Sequence, residues 1–346
     1  MHLIIQLNMM AKFKYLAPVI DLTKKYLRIG VGLFLLSLSL YCSTGLALAQ
    51  QSFDKLVIFG DSLSDTGNLA SVTTDFPFPF FQNRISDGPV LVDYLAAELG
   101  FEARASEEDN GDNFAVSGGN IDGDDREDLR SQVDSFLNRS AIVSSDSLYF
   151  VMMGGNDLRD IRSLNQSAAQ ARIKQVLDSL DDQLNRLYDA GARSFLIANV
   201  ANIGRIPETL ARQQDEPSIA ARAEAYVQSY NGELTRRLAL FERKAGVSLN
   251  VFDLFAELER ILDNASALGF TQTEVGCFEL DRFRFEPDCL FGTRFDRFVF
   301  FDSIHPTGRT NELASPALIA RIPVPIFVSP PENPNVSAII QLLLLE

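Results

Sequence analysis

Histidine and cysteine are almost missing from this chain, two of the former and three of the latter in 346 residues. So few soft ligands, with no Cys-x-x-Cys pair among them, argue against a zinc centre. Basic charge is also short. Lys and Arg number 31 against 46 Asp and Glu, for a formal net charge of −15, and such a surface repels nucleic acid and anionic membranes as partners. The apolar runs fall short of the ~20 residues that a membrane span needs. What the chain has is 46% apolar and 22% charged residues, enough to bury a sizeable core and unlike a disordered composition.

The N-terminus reads as an address rather than as fold. Lys24, Lys25 and Arg28 precede the apolar run from Ile29 to Leu40, and Ala47-Leu48-Ala49 follows, the order of a secretory signal peptide. Residues 1–49 are expected to be removed after Ala49, with an uncleaved anchor as the alternative, and synthesis starting at Met9 or Met10 would fit the long stretch before Lys24. Cys42 is discounted as a lipoprotein site because Leu40 and Tyr41 precede it. The protein is then exported, to a periplasm or beyond the cell. Two cysteines remain, Cys277 and Cys289, and an oxidising compartment favours a disulfide between them. Two free buried thiols are the alternative.

Beyond residue 49, short β-rich apolar runs alternate with longer segments of helical period, which argues for an α/β fold with helices on both faces of a parallel sheet. Strands are expected at Lys55–Phe59, Asn113–Val116, Ser147–Met153, Ser194–Val200 and Ser248–Phe252. Helices are expected at Pro89–Leu99, Leu129–Leu137, Ser167–Ala190, Ile219–Lys244 and Asp253–Leu262. In the longest, Ile173, Val176, Leu177, Leu180, Leu184 and Leu187 recur at three- and four-residue steps, the stripe of a helix laid on a sheet. Two irregular regions are rich in Phe, one at Phe76, Phe78, Phe80 and Phe81 and one from Phe278 to Phe301. They suit either the lining of an acyl cleft or packing beneath long loops. A single domain is expected over 50–321, followed by a Pro-rich and apolar tail over 322–346.

Chemistry is concentrated in four segments. Phe59-Gly60-Asp61-Ser62-Leu63-Ser64-Asp65-Thr66-Gly67-Asn68 follows an apolar strand, and ligands of an α/β sheet gather at strand carboxyl ends, so Ser62 belongs at the mouth of a site. A serine needs a base to attack a carbonyl. After residue 49 the chain has one histidine, His305, three residues after Asp302. Within one turn, i and i+3 share a side, so the carboxylate can hold the ring through Nδ1 while Nε2 faces Ser62. The segments Asn113–Asn120 and Met153-Gly154-Gly155-Asn156-Asp157 follow or end expected strands and supply backbone and side-chain N–H donors suited to an oxyanion hole. Taken singly, each segment also fits a turn, a helix cap or a surface histidine.

Together and in this order, the four segments resemble the four blocks of the SGNH/GDSL hydrolases, and residues 53–321 resemble their plant-type lipase/esterase branch. Arg84–Asp93 and Asn199–Pro207 add to the likeness. The resemblance implies a three-layer α/β/α sandwich with a five-stranded parallel sheet in the order 2-1-3-4-5 and no metal or organic cofactor. It also implies Ser62 as nucleophile and first oxyanion donor, Gly118 and Asn156 as the other two donors, and Asp302 and His305 as the rest of a triad. Ser117-Gly118-Gly119, Glu312 and Ser315 depart from the branch's common residues, away from the chemistry. The activity implied is hydrolysis of carboxylic esters, with a membrane entering only as a source of acyl lipid. An acyltransferase or carbohydrate deacetylase on the same scaffold, or a non-catalytic surface-binding protein, are the competing readings. The acidic stretch from Glu107 to Asp128 does not fit an EF-hand loop and reads as solvated surface. Acyl length, the natural alcohol and the oligomeric state are left open.

Overall fold

The computed structural model describes residues 52–140 and 142–325, so the expected signal peptide and most of the tail lie outside the described residues. Strands covered on both faces carry no polar face, which is why the apolar runs become a parallel sheet. Leu56–Gly60 (β1), Leu148–Met152 (β2) and Ser194–Ala198 (β3) are buried throughout, whereas Ser248–Phe252 (β4) is partly covered. They pair in parallel in the order β1-β2-β3-β4, with Phe59 opposite Val151 and Val151 opposite Ile197.

The regular sheet thus has four strands where five were expected. Asn113–Val116 runs beside β1, with Phe114 N donating to Ile58 O at 2.7 Å and Val116 N to Gly60 O at 3.2 Å, but it pairs only through the bridge between Ile58 and Asn113. Side chains satisfy part of its remaining backbone. Asn68 Nδ2 donates to the Asn113 and Ala115 carbonyls, and Asn113 Oδ1 accepts from Ala115 N, so the segment needs no regular ladder. With it placed second in chain order, the arrangement across the sheet follows 2-1-3-4-5.

Five helices form at the expected places: Leu91–Glu98, Leu129–Arg139, Gln166–Ala190, Ile219–Phe241 and Leu254–Asp263. The longest starts where Asn165 accepts from Ala168 N and stops at Gly191, whose φ of 128° suits glycine. Its six-residue stripe is buried. The helices at 129–139, 166–190 and 219–241 pack together, and Gly308–Ile319 packs on Leu91–Glu98 and Leu254–Asp263. Two helical layers thus enclose the sheet.

A smaller core lies beneath the long C-terminal loops. Gln272–Gly276 (β5) pairs in parallel with Phe298–Phe300 (β8), and Phe278–Glu279 (β6) is antiparallel to Arg284–Phe285 (β7). Cys277 and Cys289 are joined as a disulfide, Cα atoms 5.3 Å apart, among Phe278, Phe295, Phe298 and Phe301, with Phe80 packed against them. These phenylalanines serve loop packing, while Phe78, Phe283 and Phe291 stay exposed.

Candidate active site

Ser62 sits just past β1 because the backbone turns there. A Cβ on Gly60 would lie 2.8 Å from Met152 O and 2.9 Å from Ser64 Oγ, so no other residue fits without displacement. Gln132 clamps this glycine, donating from Nε2 to Gly60 O (2.7 Å) and accepting from Gly60 N at Oε1 (3.0 Å). The Asp61 carboxylate accepts from Leu63 N, and Asp61 O accepts from Ser64 N and Asp65 N. These bonds fold Asp61–Asp65 into a tight turn, and the helix Asn68–Val72 starts only afterwards. Asp65 accepts from Gly67 N, Asn68 N, and the Ser117 amide and hydroxyl, tying the Ser62 turn to the Gly118 segment.

His305 arrives from the far end of the chain. Asp302 Oδ1 accepts from the Ile304 and His305 amides, each at 2.8 Å, closing a turn that sets the two side chains on one side. His305 Nδ1 lies 2.8 Å from Asp302 Oδ2, and Nε2 lies 2.7 Å from Ser62 Oγ. A carboxylate only accepts, so Nδ1 carries the proton and Nε2 accepts from the Ser62 hydroxyl. All three residues are buried. Burial alone would push the Asp302 carboxyl up, but the His305 charge and the hydrogen bonds from His305 and Ile304 hold it below the ordinary carboxylate value.

The two remaining segments meet beside Ser62. Gly118 has φ of 93° and open space where a Cβ would stand. Among the described residues, neither its N–H nor that of Ser62 donates to another group. Asn156 donates from Nδ2 to Gly119 O at 2.9 Å, which leaves its second N–H, and accepts at Oδ1 from Arg159 Nη1 at 3.0 Å. The rest of the Arg159 guanidinium forks onto Glu208, which also receives Arg162. Glu208 N donates to Ser303 O, inside the His305 turn. Ser62, Asn156 and Arg159 line a cavity of about 70 Å³ with Met153, Ile206 and Ile304 in its wall.

Residues 56–318 match the family described as GDSL-like lipase/acylhydrolase. The chain belongs to that family. Among relatives of this GDSL chain, one GDSL esterase/lipase of Arabidopsis thaliana is 30% identical over 334 residues, covering 78% of this chain and 88% of that one. A second from the same plant is 29% identical over 303 residues, covering 73% and 83%. The phosphatidylcholine-sterol acyltransferase of Aeromonas hydrophila is 27% identical over 237 residues, covering 66% and 67%.

Ser62, His305 and Asp302 are hydrogen-bonded in series, Asn156 lines the same cavity as Ser62, and Gly118 sits between Ser117, which bonds Asp65, and Gly119, which bonds Asn156. Several residues that hold these segments carry no signal in the GDSL sequence. Asp65 and Asp157 stood inside the motifs without a role. Asp157 accepts from the Ile121 and Asp122 amides, and burial raises its carboxyl to about 6 despite them. Gln132, Arg159 and Glu208 act across separations of 46 to 72 residues, and no local pattern announces such pairs. Arg84–Asp93 entered only as a likeness. In place, Ser86 Oγ donates to Pro306 O and Asp87 accepts from Gly308 N, bracing the far side of the His305 turn.

Proposed function

We propose that this carboxylic ester hydrolase works through an acyl-enzyme on Ser62. The observation that carries the reading is the 2.7 Å contact between Ser62 Oγ and His305 Nε2. His305 takes the Ser62 proton as Oγ attacks the ester carbonyl, while Asp302 steadies the imidazolium through Nδ1. The oxyanion is received by the Ser62 and Gly118 amides and the free N–H of Asn156. His305 then protonates the leaving alcohol, and water, deprotonated by the same nitrogen, repeats the attack and frees the acid.

The test pairs covalent labelling by an active-serine phosphonate with hydrolysis of p-nitrophenyl esters. Parent protein takes the label and turns over, Ser62→Ala does neither, and Asn156→Ala keeps the label site but loses about 10²- to 10³-fold in turnover. Hydrolysis by Ser62→Ala at the parent rate overturns the assignment.

A relative named as an acyltransferase favours a second reading, in which an alcohol replaces water in the second half of the cycle. Product analysis with glycerol or a sterol present separates the two, since transfer yields a new ester and hydrolysis only free acid. Export through residues 1–49 is proposed on their charge and apolar pattern, supported by the disulfide at Cys277 and Cys289. N-terminal sequencing of secreted protein should begin at Gln50.

A further inference from the structure

Three bulky apolar residues outside the Ser62 site hold a backbone shape that glycine adopts freely and they do not. Phe283, Leu290 and Phe291 have φ of 50°, 47° and 56°, a left-handed conformation that is strained for such side chains. The turns do not use it to bury them. Phe291 is 84% exposed, Phe283 56% and Leu290 51%. Phe78, 69% exposed, reaches the same place from the other Phe-rich loop. Its ring lies 5.9 Å from that of Phe285, and a Cβ on Gly292, the residue after Phe291, would stand 3.1 Å from its Cζ. Phe283 meets the same core at Phe278, with 5.1 Å between ring centres, and Phe278 in turn lies 5.1 Å from Phe285. The four side chains thus crown one aromatic core, and side chains this exposed project from it rather than line a groove.

The surroundings are close to neutral. From Phe278 to Arg297 four arginines stand against five acids, a net of −1 in a chain of −15, and Glu279 is paired with both Arg282 and Arg284. Phe76–Phe81 carries no charge. An apolar crown of this kind is unfavourable in open water and marks a contact. We propose that Phe78, Phe283, Leu290 and Phe291 insert into the surface of a zwitterionic lipid layer and hold the enzyme there. An uncharged apolar tip is what such a layer admits, while the acidity of the remaining chain turns the protein away from anionic lipid. The acid–base turn is built on the same core. The Phe80 ring lies 5.4 Å from that of Phe301, and Phe301 N donates to His305 O at 2.7 Å. Anchoring by these loops therefore anchors the His305 turn with them, at a surface where acyl esters are concentrated. Binding itself does not depend on Ser62; only this use of it rests on the mechanism proposed above.

The test measures cosedimentation of the protein with phosphatidylcholine vesicles, alone and doped with phosphatidylglycerol. Asn adopts the left-handed conformation more readily than Leu or Phe, so Leu290→Asn/Phe291→Asn keeps the backbone and removes the apolar tip. Ile142→Ser is the control, since Ile142 is 86% exposed and leads into the N-terminal end of β2, at the sheet edge opposite Ser62. Parent protein should bind phosphatidylcholine, and bind the doped vesicles less well at low salt. The double variant should bind phosphatidylcholine about ten-fold or more weakly while its p-nitrophenyl acetate turnover stays near the parent's, and Ile142→Ser should bind as the parent does. Absence of binding by the parent overturns the proposal, as does parent-like binding by the double variant or an equal loss in Ile142→Ser. Tighter binding to the doped vesicles overturns it too, because basic side chains would then be the anchor. If the double variant loses acetate turnover as well, Phe283→Asn decides by the same two readings. Sedimentation velocity covers the other partner, a second copy of the chain: association that the Asn variants abolish, beside unmoved vesicle binding, overturns the lipid assignment. Ser62→Ala keeps the two readings apart, since its turnover judges only the acyl-enzyme and its vesicle binding, expected to equal the parent's, judges only the anchor.

Discussion

Arg159 Nη1 donates to Asn156 Oδ1 at 3.0 Å, which fixes the amide so that Nδ2 points away from the guanidinium, toward Gly119 O. An unrestrained Asn side chain can turn its oxygen to where an anion must sit. Arg159→Leu should therefore lower kcat by about ten-fold with KM little changed, a smaller loss than removal of the donor itself. Steady-state kinetics on one good ester checks this, and a rise in KM alone would assign Arg159 to ground-state binding instead.

Glu208 holds Arg159, and its charge is tied to stability. Burial acts to raise its carboxyl, but hydrogen bonds and charge from Arg159 and Arg162 bring it down to about 2, against an ordinary value of 4.5. A lowered acid favours folding while ionised, so the contribution is full above about pH 4.5 and fades as pH falls toward 2. Glu208→Gln also leaves Arg162, whose side chain is 5% exposed, without its partner carboxylate. The variant should be less stable by on the order of 2–3 kcal/mol near neutral pH, with the gap closing below pH 4.5 in urea titrations.

What the sequence made legible follows from range. β1 to β3 are apolar runs, the helix over 166–190 carries a six-residue apolar stripe, and Asp302 and His305 are three residues apart. Each of these signals is local, and each element formed. Asn113–Val116 was read as a strand from the same kind of run, yet its edge is satisfied by Asn68 from 45 residues away, which no periodicity records. Gly155–Ile161, Pro207–Arg212 and Gly308–Ile319 were missed because glycine or proline at their starts looks like loop. The site's chemistry was visible in its motifs; its scaffolding of Gln132, Arg159 and Glu208 depends on tertiary pairing alone.

Asp61, beside the proposed nucleophile, works against stability at neutral pH. Full burial raises its carboxyl to about 6, only partly offset by the Leu63 amide and the charges of His305 and Arg159. The folded state holds that proton more tightly than the unfolded one, so stability falls as pH climbs from about 4 to about 6 and stays lower above that. Asp61→Asn retains an acceptor for Leu63 N and never ionises. Its melting temperature should exceed the parent's by several degrees at pH 8 and match it near pH 4. An equal difference at both pH values would mean that packing, and not charge, explains the change.

Gly88 and Gly308 meet backbone to backbone under the His305 turn. A Cβ on Gly308 would lie 2.7 Å from Gly88 Cα, and one on Gly88 would lie 3.0 Å from Gly308 Cα. Neither neighbour is a flexible side chain that could swing aside, so the strain must move the backbone. Gly308, three residues beyond His305, is the first residue of its helix and donates its N–H to Asp87 Oδ1. Gly308→Ala should cost about 1–3 kcal/mol in stability, and the displaced turn should lengthen the contact between His305 and Ser62. A misplacement near 1 Å costs on the order of 100-fold in rate, so turnover should fall much further than the folded fraction does. Thermal unfolding and kcat measured on the same preparation test this, and a variant that loses stability but keeps its turnover would show that the helix start does not position His305.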